Sequence, residues 1–335
     1  MAALLHPEKI GILPEIMMPN SITLSGDELY VVEGATIFVY SIESLELLRT
    51  FGKKGEGPGE LRVTPAYLNK VRVYSDHVMV EGVNKLVFFS REGKLIREIK
   101  KKSGILQTIP VGKNYAVNKL RIDNNTVYNG VSLFNPQLEE IKELYSIPHI
   151  QQGQLPSAKI DMLLDYPSFR VYKNKIFVEK STEGFLIDVF DVNGKKLYQI
   201  SKNYQKTKIS ERFKDEISER FKEDPLIKSI GWDTIKKGVK LTLPETFPAI
   251  QSMEISCDKI YIQTYKTSKN KDEEYIIMDL SGNTIRKTYL PKFKNVTLIG
   301  SILGTKLYVL QDDKLIYLAE NEKTEQWELF IEEII

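Results

Sequence analysis

The chain has 335 residues, 42% hydrophobic and 27% charged, with 47 basic against 45 acidic side chains. Such a length holds two average domains or one repeat fold, and a net charge of +2 creates no strong field toward nucleic acid or a membrane surface. A single cysteine excludes an internal disulfide and a paired-cysteine metal knuckle, and no apolar run approaches the ~20 residues of a membrane span.

The opening Met1–Pro7 is too short to be a signal peptide. The stretch Glu8–Leu13 reads as a short strand, expected to pair at the seam between the first and last repeat, where closure removes open edges. From residue 27 onward a motif recurs: a turn residue, any residue, an aliphatic, then an aromatic or Met, then a further strand residue. The copies begin at Asp27, Asp76, Asn125, Asn174, Asp258 and Thr305, and their fourth positions are 30, 79, 128, 177, 261 and 308. Successive spacings are therefore 49, 49, 49, 84 and 47, close to propeller-blade length.

Each copy continues into a second and third β-rich run joined by a hairpin turn. Arg91-Glu92-Gly93-Lys94, Val192-Asn193-Gly194-Lys195 and Ser281-Gly282-Asn283 are strong tight-turn signals, because glycine meets the positive φ such turns demand. One small twisted sheet cannot bury both faces alone, so stacking six of them puts the aliphatic and aromatic residues into inter-blade layers. The expected fold is all-β, a six-bladed β-propeller with a small helical insertion between blades four and five. Blades are expected near 17–51, 60–100, 105–147, 166–201, 248–291 and 294–332, with the insertion over 202–247.

Between blades one and two the chain reads Phe51-Gly52-Lys53-Lys54-Gly55-Glu56-Gly57-Pro58-Gly59-Glu60, and farther on Glu81-Gly82-Val83-Asn84-Lys85-Leu86. These segments resemble the NHL repeat: a Phe-Gly pair, a Gly-Pro-Gly linker, then an acidic residue, here Glu81 in place of aspartate, with Asn84 and Lys85 matching. The resemblance covers residues 49–99 and implies an NHL-like six-bladed propeller of the kind found among exported bacterial proteins of unassigned function. The glycine-rich loop does not open a helix, so it reads as a tight connection and not a phosphate cradle. Arg97 and the run Lys100-Lys101-Lys102 read as a solvated blade corner.

The connection Ser146–Ser168 is long and proline-punctuated, and carries His149, Asp165 and Tyr166 ahead of Arg170. The long interval falls between blades four and five. There Phe213, Ile217 and Phe221 form one apolar helical stripe, and Pro225–Trp232 reads as a second helix. Together these predict a helical cap with Trp232 as an anchor for a partner. Cys257, in Met253–Cys257, reads as a buried strand residue. Gln326–Ile331 can serve as the outer strand of blade six.

Propeller ligands commonly bind where the long connections gather, which nominates Arg62, Tyr67, Glu81, Asn84, Lys85, Tyr166, Arg170, Glu183 and Trp232 as binding residues. His6, His77 and His149 lack metal-ligand spacing, and no nucleophile-elbow or zinc-protease signature occurs, so no catalytic or metal residue is assigned. The reading is a monomeric, non-enzymatic binding or scaffold propeller for a protein, peptide or glycan, with no nucleic-acid partner and no cofactor. The alternative is a calcium-dependent hydrolase or lyase with a site in the central channel, fed by the chain's many carboxylates.

Overall fold

The computed structural model describes residues 7–64, 67–124, 126–151, 158–161, 163, 167–223, 228, 231–290 and 306–334. Among them the strands form six sheets, and the chain is an all-β, six-bladed β-propeller with a small helical insertion between blades four and five. Strand β1 (Glu8–Leu13) precedes blade one, which is β2 (Ser21–Ser25), β3 (Glu28–Glu33), β4 (Thr36–Ser41) and β5 (Leu47–Phe51). Blade two is β6 (Lys70–Val73), β7 (Val78–Glu81), β8 (Lys85–Phe89) and β9 (Leu95–Lys100). Blade three is β10 (Ile105–Val111), β11 (Asn114–Asp123), β12 (Thr126–Phe134) and β13 (Glu140–Gln151), extended by β14 (Ala158–Asp161). Blade four is β15 (Phe169–Tyr172), β16 (Lys175–Glu179), β17 (Phe185–Phe190) and β18 (Lys196–Lys202).

The insertion follows, with α1 (Glu211–Glu223), α2 (Trp232–Gly238) and β19 (Val239–Thr242). Blade five is β20 (Ser252–Ser256), β21 (Lys259–Thr267), β22 (Glu273–Asp279) and β23 (Thr284–Leu290). Blade six is β24 (Tyr308–Gln311), β25 (Lys314–Asn321) and β26 (Gln326–Glu333), completed by β1. The outer strand of blade six is thus β1 and not Gln326–Ile331, which forms the third strand, β26. Leu13 pairs with Trp327 and Glu8 with Ile331, and Lys9 meets Glu328 at 2.6 Å.

The chain divides into two compact units, Met1–Ser103 with Leu303–Ile335, and Gly104–Ile302. The first carries blades six, one and two; the second carries three, four and five. Within each unit the first strands of successive blades lie against one another, β24 by β2 by β6, and β10 by β15 by β20. Their seams hold the core. Tyr30, Val32, Ile37 and Val39 of blade one pack with Val71, Val78, Val80 and Val87 of blade two. Phe177, Ile187 and Val189 of blade four pack with Met253, Ile260 and Ile276 of blade five. Each such side chain contributes ~1.5–3 kcal/mol on burial.

The recurring motif marks the second strand in blades one, two, four and five. In blade three, Val127-Tyr128 instead lies on the third strand, β12, and in blade six Leu307-Tyr308 leads into the first strand, β24. The true counterparts follow the turns Gly112-Lys113 and Asp312-Asp313, at Tyr115-Ala116 and Leu315-Ile316. Blade three misleads because β11 and β12 are unusually long, so the turn joining them at Asn124 also precedes a β-rich run.

The hairpin glycines have a packing reason as well as a conformational one. A Cβ at Gly93 would lie 2.6 Å from Phe51 of the preceding blade, and one at Gly282 would lie 2.5 Å from Ile200. At the blade six–one seam the sizes are exchanged: Leu45 occupies the turn position with φ +55°, and its side chain fills the space over Gly11 of β1. Gly282→Ala, with φ +91° and no room, is expected to cost at least ~2 kcal/mol by combining backbone strain with overpacking. Gly26→Ala has φ +58° but open space around it, and should cost about half as much by strain alone. Urea midpoints of the two variants check the contrast.

A polar tie also crosses the blade one–two seam. The Glu28 carboxylate meets Arg49 and Arg91, both at 2.6 Å, and accepts the Tyr30 hydroxyl at 2.6 Å. Both guanidinium groups lie over the Tyr30 ring, and Arg91 also donates to Ser25 Oγ and the Tyr74 carbonyl. Hydrogen bonding from Arg49, with Tyr30 and the two cationic charges adding to it, holds the Glu28 pKa down at about 2. Burial, with the adjoining carboxylate, pushes Tyr30 up to about 12.

The insertion is zipped at its base, where Ile209 N donates to Glu245 O and Phe247 N to Thr207 O. Ser210 caps α1 by accepting from Phe213 N at 3.2 Å. As the stripe predicts, Ile217 is buried, and Phe213 packs edge-on against Phe247, which stacks on Tyr265 of blade five. Lys206 reaches the Thr182 carbonyl in the β16–β17 turn, so the insertion lies over that end of blades four and five. It is not purely helical: β19 pairs parallel with β14, making blade three's sheet six-stranded. Of the expected helix Pro225–Trp232, residues 225–227 and 229–230 lie outside the described residues, Lys228 is helical, and α2 starts at Trp232. Cys257 is exposed, not buried: it occupies the β20–β21 turn with φ +48°.

Candidate functional site on the loop face of blades one and two

In an antiparallel four-stranded blade, the connection from strand two to strand three and the one leaving strand four emerge at the same end. For blades one and two these are 34–35, 82–84, the glycine-rich linker after β5, and the segment 14–20 entering blade one. Glu60 folds back onto the linker, accepting Gly57 N at 2.9 Å and pairing with Lys53 at 3.2 Å. Glu98 of β9 accepts Gly59 N at 3.0 Å, and Lys85 bridges Glu98 and the Gly57 carbonyl at 2.9 and 2.6 Å. Gly55 N is taken by the Leu61 carbonyl. The amides that could cradle an anion are therefore already engaged by the chain's own acceptors. Those amide bonds are also the leading reason that both carboxyls sit below the usual carboxylate range.

Around this linker the fold brings five of the nominated residues together in two sets. At the surface, Glu56 gathers Arg62 and Asn84, each at 3.3 Å, while the neighbouring Lys85 is buried against the linker. Beneath lies a second set. Lys101 turns inward with a fully buried side chain and donates to Tyr67 Oη at 3.0 Å, Glu81 at 3.2 Å and the Gly82 carbonyl at 3.1 Å. Glu81 also pairs with Arg72 at 3.1 Å. Burial lowers the Lys101 pKa against the pull of Glu81, and burial with the Glu81 charge raises that of Tyr67 well above its ordinary value. The corner expectation therefore holds for exposed Lys100 and Lys102 but fails for Lys101. Tyr67 and Glu81 are closed off as internal partners of that lysine.

The remaining nominees lie apart. Arg170 on β15 makes a two-pronged pair with Glu254 on β20, at 3.1 and 2.7 Å, tying the first strands of blades four and five. Glu183 pairs with Lys180 in the β16–β17 turn. Trp232 opens α2, half-buried, with the Lys222 ammonium 5.7 Å from its ring centre. Tyr166, with Asp165, lies outside the described residues. Ser146–His149 is not loop but strand, because β13 continues to Gln151. At the opposite ends of blades three and four, a hollow of about 450 Å³ is lined by Lys113, Asn114, Leu133, Pro136, Ile141 and Asn193. Among the described residues no three His, Cys, Asp or Glu side chains converge to hold a metal ion, and no helix is long and apolar enough to cross a membrane.

Sequence reasoning missed the most exposed apolar feature of this face. Met17 and Met18 are 75% and 74% exposed, yet the loop that carries them is pinned. Its flanking Ile16 and Pro19 are buried. Met17 N donates to Glu33 at 3.0 Å, and its carbonyl accepts Trp327 Nε1 at 2.9 Å. Asn20 accepts Gly34 N and Asn69 donates to Gly34 O, both at 2.7 Å, so Gly34 joins this loop to the linker. Val63, itself partly exposed, sits over Gly34. The available signal was Pro14-Glu15-Ile16-Met17-Met18-Pro19: two adjacent methionines bracketed by prolines in a connection.

No family model matches the chain, and no curated protein matches it. Among solved structures it is similar to Hsv2 of Kluyveromyces lactis, at 10% identity and TM-score 0.42, over 95% of this chain and 99% of that one. It is likewise similar to BamB from Moraxella catarrhalis, at 10% identity and TM-score 0.34, over 92% and 71%. A protein of unknown function from Bacteroides caccae matches at 9% identity and TM-score 0.42, over 86% and 85%.

Proposed function

We propose that this chain is a non-enzymatic, NHL-like binding or scaffold propeller that recognises a protein or peptide on its loop-rich face, at Met17, Met18 and Val63. The observation carrying the reading is the pinned methionine pair. Adjacent, strongly exposed methionines on a loop fixed at both ends offer soft apolar area with little backbone entropy to lose on binding. Arg62 and Glu56 supply a charged rim beside it. A glycan would favour an aromatic platform, which this patch lacks, so a peptide fits better.

The test is selection of a random-peptide library on the immobilised protein, followed by measurement of the enriched peptides on a Met17→Glu, Met18→Glu double variant. Binding should weaken by on the order of 30-fold or more, as for a hot spot. No enrichment, or equal affinity for the double variant, overturns the reading. A calcium-dependent rise in melting temperature would favour the hydrolase or lyase alternative.

A further inference from the structure

Every blade repeats one irregularity between its third and fourth strands. The ladder of β4 with β5 passes from Val39↔Arg49 to Tyr40↔Leu47 and skips Leu48. The corresponding skips are Ile96 in β9, Ile141 in β13, Leu197 in β18, Ile285 in β23 and Ile10 in β1. Each is one extra residue on the fourth strand, the geometry of a β-bulge, and each is aliphatic. All but Ile10 are strongly exposed, between 45% and 54%.

Among the described residues the fourth strand ends its sheet in every blade but the third, where β14 meets β13 only at Gln151. These edges are rich in β-formers, such as Leu47-Leu48-Arg49-Thr50-Phe51 and Leu95-Ile96-Arg97-Glu98-Ile99. A regular, exposed edge of that composition invites strand addition by another chain. A bulge twists the edge and interrupts its hydrogen-bonding row.

We infer that the six bulges are a built-in barrier to edge pairing, which keeps the outer strands from adding a strand of a second copy of this chain. The barrier lies in the skipped residue and not in its side chain, since an aliphatic side chain by itself would promote association.

Excising Ile96 and Ile285 tests it, because neither residue has a partner in the ladder and every other pair can be kept. Light scattering after size exclusion, over a range of concentrations, should give the double deletion roughly twice the wild-type mass or more. Ile96→Lys with Ile285→Lys keeps both bulges and should follow the wild type. A folded double deletion, judged by circular dichroism, that keeps the wild-type mass overturns the inference. Should that variant fail to fold, single deletions of Leu48 and Leu197 repeat the test on other blades. If none of them folds, the inference also falls, because it requires that the ladder close over the excised residue.

Discussion

Replacing Glu28 by alanine should destabilise the protein by about 2–3 kcal/mol, measured as a fall in urea midpoint at unchanged slope. The substitution removes the one carboxylate that joins two guanidinium groups and a buried phenol across the blade one–two seam, leaving the two cations only neutral acceptors there. The expected loss stops short of the ~3–5 kcal/mol of a fully buried pair, because about a fifth of the carboxylate side chain still meets solvent. The same group predicts an acid response. Its folded pKa of about 2 lies below the ordinary 4.5, so its stabilisation is complete above pH 4.5 and is lost as the pH falls toward 2. Glu28→Gln should flatten the stability–pH slope within that window and leave it unchanged above. A slope identical to wild type would show that the tie does not carry charge-dependent stability.

Lys101→Met should be costlier, about 3–5 kcal/mol, since it strips a buried ammonium from three acceptors at once. Glu81 would keep Arg72, but Tyr67 Oη and the Gly82 carbonyl would lose a donor in a closed space. Adding Glu81→Gln should cost less in this background than in the wild type, with a coupling of about 1–3 kcal/mol between the two positions. Strictly additive losses would mean that the lysine and the glutamate stabilise the blade independently. Tyr67→Phe, which removes one partner of three, should cost about 1 kcal/mol.

The architecture was readable because hairpin chemistry and strand alternation repeat together, and four of the six motif copies fall on the equivalent strand. Blade three escaped because its long strands supply a second turn-then-strand signature one hairpin too late. The inward turn of Lys101 was implicit in strand alternation, since Lys100 and Lys102 point out on either side of it. A run of three lysines nonetheless reads as solvated unless its alternation is followed past the end of the strand. Cys257 was misplaced for a related reason. Cys257-Asp258 occupies the same first-to-second-strand turn as Gly26-Asp27 and Lys173-Asn174, with Gly26, Lys173 and Cys257 all at positive φ, and comparing the copies would have put it there. Composition could point to the loop face, whereas burial of Tyr67 and Glu81 depends on a lysine some 20 or more residues away in sequence.

The pairing of β1 with β26 has a kinetic consequence. Lys9 and Glu328 are 319 positions apart, so the last ladder of blade six closes one of the longest loops the chain can form. Such a contact gains nothing until nearly everything between is arranged, which places it late on the folding route and raises the contact order of the whole. Until then β26 offers an open, unsatisfied row of backbone groups, so the interval before β1 arrives is the period of greatest exposure to misassembly.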